Sequence, residues 1–237
     1  MENENELFEI TNKNNILLLT MNAPNNNIMT DEFLHSFEDA IENIVDISKN
    51  NDIKALIICS GGRHFSVGAD VNSLVSRTSE QCFDIDDASQ LPQAHIKQKH
   101  AFTLLYDMPI PVISAIKGFC IGSGSEIAVN SHIRICEKSS RIGQPESTFG
   151  ILPALGGIAR TVEICGISTA AEIVFTGHLF TATEAFEYGW ADIVCEKNQS
   201  LDLAFKLADI ITNSEQPYSK DNICQYIELL RQSAITR

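Results

Sequence analysis

The sequence predicts an α/β domain that ends in a helical region, and three observations carry that prediction. An apolar, strand-like run leading into a loop of small residues occurs three times: "IKALIIC" before "SGGRHFSVGAD", "PVISAI" before "KGFCIGSGSE", and "HIRICE" before "SRIGQPE". Helical spacing of apolar residues separates or follows these units. From about residue 181 onward helical periodicity dominates, so strands concentrate in the first part of the chain and helices in the last.

Taken in order, "NILLLTM" reads as the first strand, and "APNNN" as the turn that ends it, because Pro and a run of Asn leave both helix and sheet ladders. Thr30 is placed to cap a helix from Asp31 to about Ser48, on which Phe33, Phe37, Ile41 and Ile44 recur at three and four residues. "IKALIIC" is a buried strand by its length and β-branched content. Residues from about 76 to 100 mix charges with weak periodicity and read as a partly helical, mobile surface segment. "PVISAI" is again a strand, with a helix over about 124–131 and the strand "HIRICE" after it. Thr181 and Glu184 have capping-box spacing, Gly189 breaks that helix, and "LDLAFKLADII" and "DNICQYIELLRQS" each carry helical periodicity. The domain division is 1–194 for the α/β core and 195–237 for a short helical C-terminal region.

Composition narrows the function classes. A chain of 237 residues, 44% hydrophobic, is long enough for one large core. A net charge of −14 would repel a phosphate backbone, so nucleic acid is excluded as a partner. Seven cysteines occur singly with no C-x-x-C pair, and the histidines form no ligand spacing, which argues against disulfides and metal and for a reducing, cytoplasmic setting. The acidic start "MENENELFEI" lacks the charge and apolar pattern of a signal peptide, and no run reaches the roughly 18 apolar residues of a membrane span.

Two isolated acids draw attention. Glu126 ends "GFCIGSGSE" in the first turn of a predicted helix, near free N–H groups, and Glu146 stands in "RIGQPESTFG". Helix and strand lengths allow both to return to one end of the sheet. Read by themselves, the two are better accounted for as a helix-capping acid and a surface acid after Pro145.

Four ordered blocks supply more. "HFSVGAD", "GFCIGSGSEIAV", "IGQPESTFGILPALGG" and "FTGHLFTATEAFEYGWAD" resemble the crotonase superfamily, the enoyl-CoA hydratases and isomerases, in order over about residues 16–195. The resemblance implies a spiral of repeated ββα units and an enolate chemistry in which backbone N–H groups of Ala69 and Ser123 form an oxyanion hole. It implies that Glu126 activates the water attacking C3 and that Glu146 moves a proton at C2. Burial and mutual repulsion are expected to raise at least one of their pKa values. By the same resemblance Ser66, Val67, Gly68 and Gly122 line the thioester, and Arg63 approaches a CoA phosphate or is a solvated loop charge. Asp70 reads as a turn or capping residue.

The implied function is a lyase that hydrates a 2-enoyl thioester or dehydrates a 3-hydroxyacyl thioester. It has no cofactor, its substrate being an acyl-CoA or acyl-carrier-protein thioester, and it assembles as a homotrimer or a dimer of trimers. Alternatives are an isomerase or decarboxylase using one glutamate, and a noncatalytic acyl-binding or assembly paralogue. Several positions depart from the family pattern: Ser123 and Ala154 where Gly is common, Asn72 where many members have Lys, and an end at Arg237 that resembles members acting on carrier-bound groups in polyketide assembly.

Overall fold

In the computed structural model the description covers residues 3–5, 7–50, 52–70, 93–151, 153, 155–213 and 224–230. Strand formation starts earlier than the sequence reading placed it. β1 (Asn3–Asn5) and β2 (Phe8–Lys13) precede β3 (Ile16–Met21), and all three are antiparallel neighbours. The β2–β3 hairpin closes through Asn14 and Asn15 at φ 54° and 66°, the left-handed pair that matches strand twist and that Asn tolerates. β2 has only Phe8 and Ile10 on its buried face, too short an alternation to separate from an acidic leader.

β3 then pairs in parallel with β4 (Ala55–Ser60), β4 with β5 (Val112–Ile116), β5 with β7 (Ile133–Glu137) and β7 with β10 (Ile193–Cys195). All six residues of β4 are buried, as parallel strands require when both sheet faces are covered. One face carries Leu56, Ile58, Val112 and Ile116 under α1 (Asp31–Asn50) and α2 (Gln93–Tyr106). Phe33, Phe37, Ile41 and Ile44 of α1 are buried there, and the Phe33 N–H donates to Thr30 Oγ1 at 3.2 Å, so the expected cap forms. The other face carries Ile57, Ile113 and Ile135 against Ala204 and Ala208 of a helix near the C-terminal end, Ser200–Asn213.

A second, three-stranded sheet holds the short strands that sequence reading took for loops. β6 (Phe119–Ile121) pairs in parallel with β8 (Arg141–Gly143), which pairs antiparallel with β9 (Phe180–Thr181). Each unit sends one strand into the large sheet and its next into the small one. β5, β6 and α3 (Ser123–Val129) form one such ββα turn, and β7 and β8 lead into a 3-10 turn, Pro145–Phe149. After β4, the Ser66 bridge to Cys120 plays the part of the second strand. The units thus wind as a spiral. α4 (Gly157–Cys165), α5 (Ile167–Thr176), α6 (Ala182–Glu187) and α7 (Ser200–Asn213) complete it, with residues 224–230 also helical. Both bonds of the Thr181–Glu184 capping box are present, and Gly189 sits at φ 75° beyond α6. Of the expected segment 76–100, residues 93–100 start α2; the rest lies outside the described residues.

One buried cation fixes β10. Arg134 on β7, 5% exposed, donates from Nε to Trp190 O at 2.6 Å and from Nη1 to Ser131 O at 2.7 Å, and pairs with Asp192 at 2.8 Å. Asp192 also accepts from the Arg134 backbone N–H at 2.7 Å. Asp192→Ala strands a guanidinium in the core, so stability should fall by about 1.5–3 kcal/mol. A lower midpoint in urea unfolding at unchanged slope is the expected reading.

Candidate active site

Four loops meet around the start of α3. The first, after β4, is pinned from both sides. Ser66 N–H donates to Phe119 O at 3.0 Å and Ile121 N–H to Ser66 O at 3.2 Å, while Met29 N–H donates to Gly68 O at 2.9 Å and Asp70 N–H to Met29 O at 3.4 Å. Because Met29 uses the groups flanking Ala69, the pleat turns the N–H of Ala69 itself to the opposite edge. That edge faces β6 and α3: a Cβ on Gly68 would lie 2.7 Å from Ile121 O and 3.5 Å from Gly122 Cα. Gly68, at φ 81°, therefore permits both the turn and the approach.

Gly122 begins α3 at φ 54°, ψ −130°, and its N–H donates to Gly143 O at 2.9 Å. Ser123 is the first helical residue, where an N–H has no intrahelical acceptor. Among the described residues no acceptor takes the N–H of Ala69 or of Ser123. The two loops bring those groups to neighbouring edges. Ser66, in contrast, turns its hydroxyl inward, donating to Asn27 O at 2.7 Å and accepting from Gly68 N–H at 3.1 Å. Val67 is half-buried with its N–H on Asn26 O at 3.2 Å.

One turn into α3, Glu126 is 1% exposed. Its Oε1 accepts the N–H groups of Leu155 at 2.7 Å and Gly157 at 2.9 Å, and neither bond uses Oε2. A Cβ on Gly157 would stand 2.7 Å from that Oε1 and 2.5 Å from Gln144 Nε2, so the bare Cα lets the carboxyl and the carboxamide close on the start of α4. Asn130 Nδ2 donates to Glu126 O at 2.8 Å and ties off the end of the helix.

Glu146 lies in the 3-10 turn and reaches Gly122, whose Cβ would sit 3.2 Å from Glu146 Oε1. Among the described residues Glu146 Oε2 and both amide atoms of Gln144 are buried with no partner. Burial pushes the Glu126 carboxyl up to about 7, with repulsion from Glu146 adding to it and the two backbone N–H bonds opposing it. Burial likewise pushes Glu146 up to about 7. Two such groups can divide the roles of proton donor and proton acceptor near neutrality.

A model of the enoyl-CoA hydratase/isomerase family aligns with residues 11–222. The chain belongs to the enoyl-CoA hydratase/isomerase family. Subunit alpha of the fatty acid oxidation complex of Shewanella frigidimarina (strain NCIMB 400) is 32% identical to it over 218 residues, which are 90% of this chain and 29% of that protein. The subunit of Shewanella halifaxensis (strain HAW-EB4) is 32% identical over 208 residues, 85% of this chain and 28% of that protein. The chain therefore spans less than a third of the length of these curated relatives. Among solved structures, Pseudomonas aeruginosa DspI superposes with TM-score 0.83 at 25% identity, covering 99% of this chain and 89% of that one. An enoyl-CoA hydratase subunit of Geobacillus kaustophilus HTA426 gives TM-score 0.81 at 21% identity, covering 96% and 82%, and shows the fold alone. The spiral is thus the crotonase fold of the hydratase/isomerase family.

Within this family setting, the structure brings Glu126, Glu146, Ala69, Ser123, Gly68 and Gly122 together. Arg63 is exposed on the loop before them, with no ion pair among the described residues. Asp70 closes the Met29 bridge through its N–H. Asn72 and Ala154 lie outside the described residues. Sequence reading missed Gln144, Asn130 and the amides of Leu155 and Gly157. The small pair Gly156-Gly157 before a helix was the available signal for the amides. Among the described residues no group of three His, Cys, Asp or Glu could hold a metal ion, and no helix is long and apolar enough to cross a membrane.

The raised carboxyl pKa values carry a cost that depends on pH. Between the ordinary value of 4.5 and about 7 the folded protein holds protons that the unfolded chain has released, so Glu126 and Glu146 lower stability as pH rises through that window. Glu146→Gln removes the ionisation and keeps the shape. The variant should match the parent near pH 4 and exceed it above pH 7 by on the order of 2 kcal/mol. Urea unfolding at both pH values checks this.

Proposed function

We propose that the chain is a lyase that adds water to the double bond of a 2-enoyl thioester and, in reverse, removes it from a 3-hydroxyacyl thioester. The supporting observation is the pair of buried carboxyls with pKa values of about 7 beside two N–H groups that have no acceptor among the described residues. The thioester oxygen sits between the N–H groups of Ala69 and Ser123. Glu126 accepts a proton from water as the water oxygen bonds to C3. The electron pair of the double bond moves through C2 onto the thioester oxygen, where the two donors hold the enolate. Glu146 in its protonated form then delivers a proton to C2, and the bond to oxygen reverts to a carbonyl. Glu126 stands on α3 and Glu146 reaches Gly122 at the start of α3, so both acids are available to one face of the double bond, as a same-face addition requires.

An isomerase or decarboxylase needs one acid/base group, and the second buried carboxyl favours water chemistry over either. The substrate in this reading is an acyl thioester of CoA, with the exposed Arg63 at the rim available to a phosphate, or of a carrier protein. No cofactor takes part. The six cysteines among the described residues are all free, which fits a reducing cytoplasm.

Two measurements test the mechanism together. Absorbance loss at the enoyl-thioester band should appear with crotonyl-CoA or with the same acyl group on a carrier protein. Glu126→Gln and Glu146→Gln should each lower turnover by on the order of 10²–10⁴. Exchange of the C2 proton of a saturated acyl thioester into deuterated water should survive in Glu126→Gln and vanish in Glu146→Gln. Wild-type exchange in Glu146→Gln removes Glu146 from C2 and with it the mechanism.

Self-association as a trimer or dimer of trimers belongs to the same proposal. It is supported by apolar side chains left in water on neighbouring helices, Ile167 at 74% and Phe175 at 80% exposure on α5 and Phe186 at 55% on α6. Light scattering should give a multiple of three protomers at micromolar concentration; a stable 26.1 kDa monomer overturns it.

A further inference from the structure

The turn after β3 contains three consecutive non-glycine residues in left-handed conformation: Asn25 at φ 53°, Asn26 at φ 65° and Asn27 at φ 57°. Asparagine tolerates this region better than most side chains, but a run of three persists only where surrounding contacts impose it. Beyond its own Asn27 N–H to Ala23 O bond, the turn is held by the end of β4 and the loop that carries Ala69. The side chain of Asn27 is 1% exposed, and its Nδ2 donates both to Ser60 Oγ at 2.9 Å and to Phe65 O at 2.9 Å. Ser60 ends β4 and also accepts from Gly62 N–H at 3.0 Å, so one carboxamide ties the root of the loop to the point where it re-enters the sheet. The backbone of the same turn continues the strap. Asn27 O accepts from Ser66 Oγ, Asn26 O from Val67 N–H, and the Met29 bridge follows on either side of Ala69.

This register decides which way the N–H of Ala69 points. If the strap slips by one residue, the groups that bond Met29 change parity and Ala69 turns its N–H toward the turn instead of toward α3. We infer that Asn27 is a positioning residue of the reaction: without touching the substrate, its carboxamide sets the direction of the Ala69 N–H and so the stabilisation of the enolate. The inference rests on the proposed role of Ala69 as a donor to the thioester oxygen.

The side-chain requirement is specific. Two hydrogens on one nitrogen must reach a hydroxyl oxygen and a carbonyl oxygen, which an aspartate cannot supply. Asn27→Gly keeps the left-handed backbone and removes the fork. Asn25→Ala, an exposed position in the same conformation with no side-chain hydrogen bond among the described residues, is the control for backbone strain.

The test reads the carbonyl stretch of carbonyl-¹³C butyryl-CoA, a saturated thioester that cannot be hydrated, free and bound, together with kcat and KM on crotonyl-CoA. The wild-type protein should lower the bound carbonyl frequency. Asn27→Gly should lose most of that shift and on the order of 10²-fold in kcat with little change in KM, whereas Asn25→Ala should keep both. If the wild type shows the shift and Asn27→Gly retains it, Asn27 is a fold residue only and the inference is overturned while the donor role of Ala69 stands. If the wild type itself shows no shift, the donor role fails first and takes the inference with it. Should Asn27→Gly not fold, Ser60→Ala removes one acceptor of the fork and leaves the turn intact. Ser60→Ala should then reduce the shift and kcat in the same direction, and an unchanged shift overturns the inference.

Discussion

Two backbone N–H groups, from Leu155 and Gly157, converge on a single oxygen of the buried Glu126. A buried carboxylate without a cation beside it is costly, and these donors supply the compensation. Much of the surrounding structure follows from bringing them there. The chain must reverse after the 3-10 turn, start α4 at a residue without a Cβ, and leave space for Gln144 against the same point. α3 must present Glu126 while Asn130 holds the far end of that helix. The donors stop short of neutralising the group, because burial and Glu146 still outweigh them and leave its pKa near 7. That incomplete compensation gives the site a proton to move.

How far this was legible in the sequence depended on which part of each residue carries the information. α1 could be read because Phe33, Phe37, Ile41 and Ile44 repeat at helical spacing and all four are buried. The Thr181–Glu184 box could be read because side chains make both bonds. Glu126 and Glu146 stood out as acids isolated among small and apolar residues, and the ordered blocks around them identified the family. β6, β8 and β9 could not be read: strands of three, three and two residues are too short for any alternation to register. The clamp on Glu126 escaped because main-chain donors have no letter of their own. Gln144 escaped because a polar residue between a turn and an acid looks like any solvated loop position until its burial is known.

The small sheet explains how a modest core can assemble a site from distant stretches of chain. Two of its strands and the bridge beside them each deliver a loop to the same place: the Ser66 bridge delivers Ala69, β6 delivers Gly122 and α3, and β8 delivers Gln144 and Glu146. The large sheet and its helices hold this frame still, and the α7 face gives the sheet a second cover.

The N–H groups offered by Ala69 and Ser123 are main-chain atoms, and a main-chain donor survives every amino-acid replacement at its own position except proline. The donors therefore do not depend on which side chain those two positions carry, alanine at 69 and serine at 123. Constraint is displaced onto neighbours that shape the chain. Gly68 and Gly122 hold backbones close enough that an added Cβ would meet Ile121 O at 2.7 Å and Glu146 Oε1 at 3.2 Å. What the cleft demands is a path of the backbone, which a substitution at 68 or 122 would disturb and one at 69 or 123 would not.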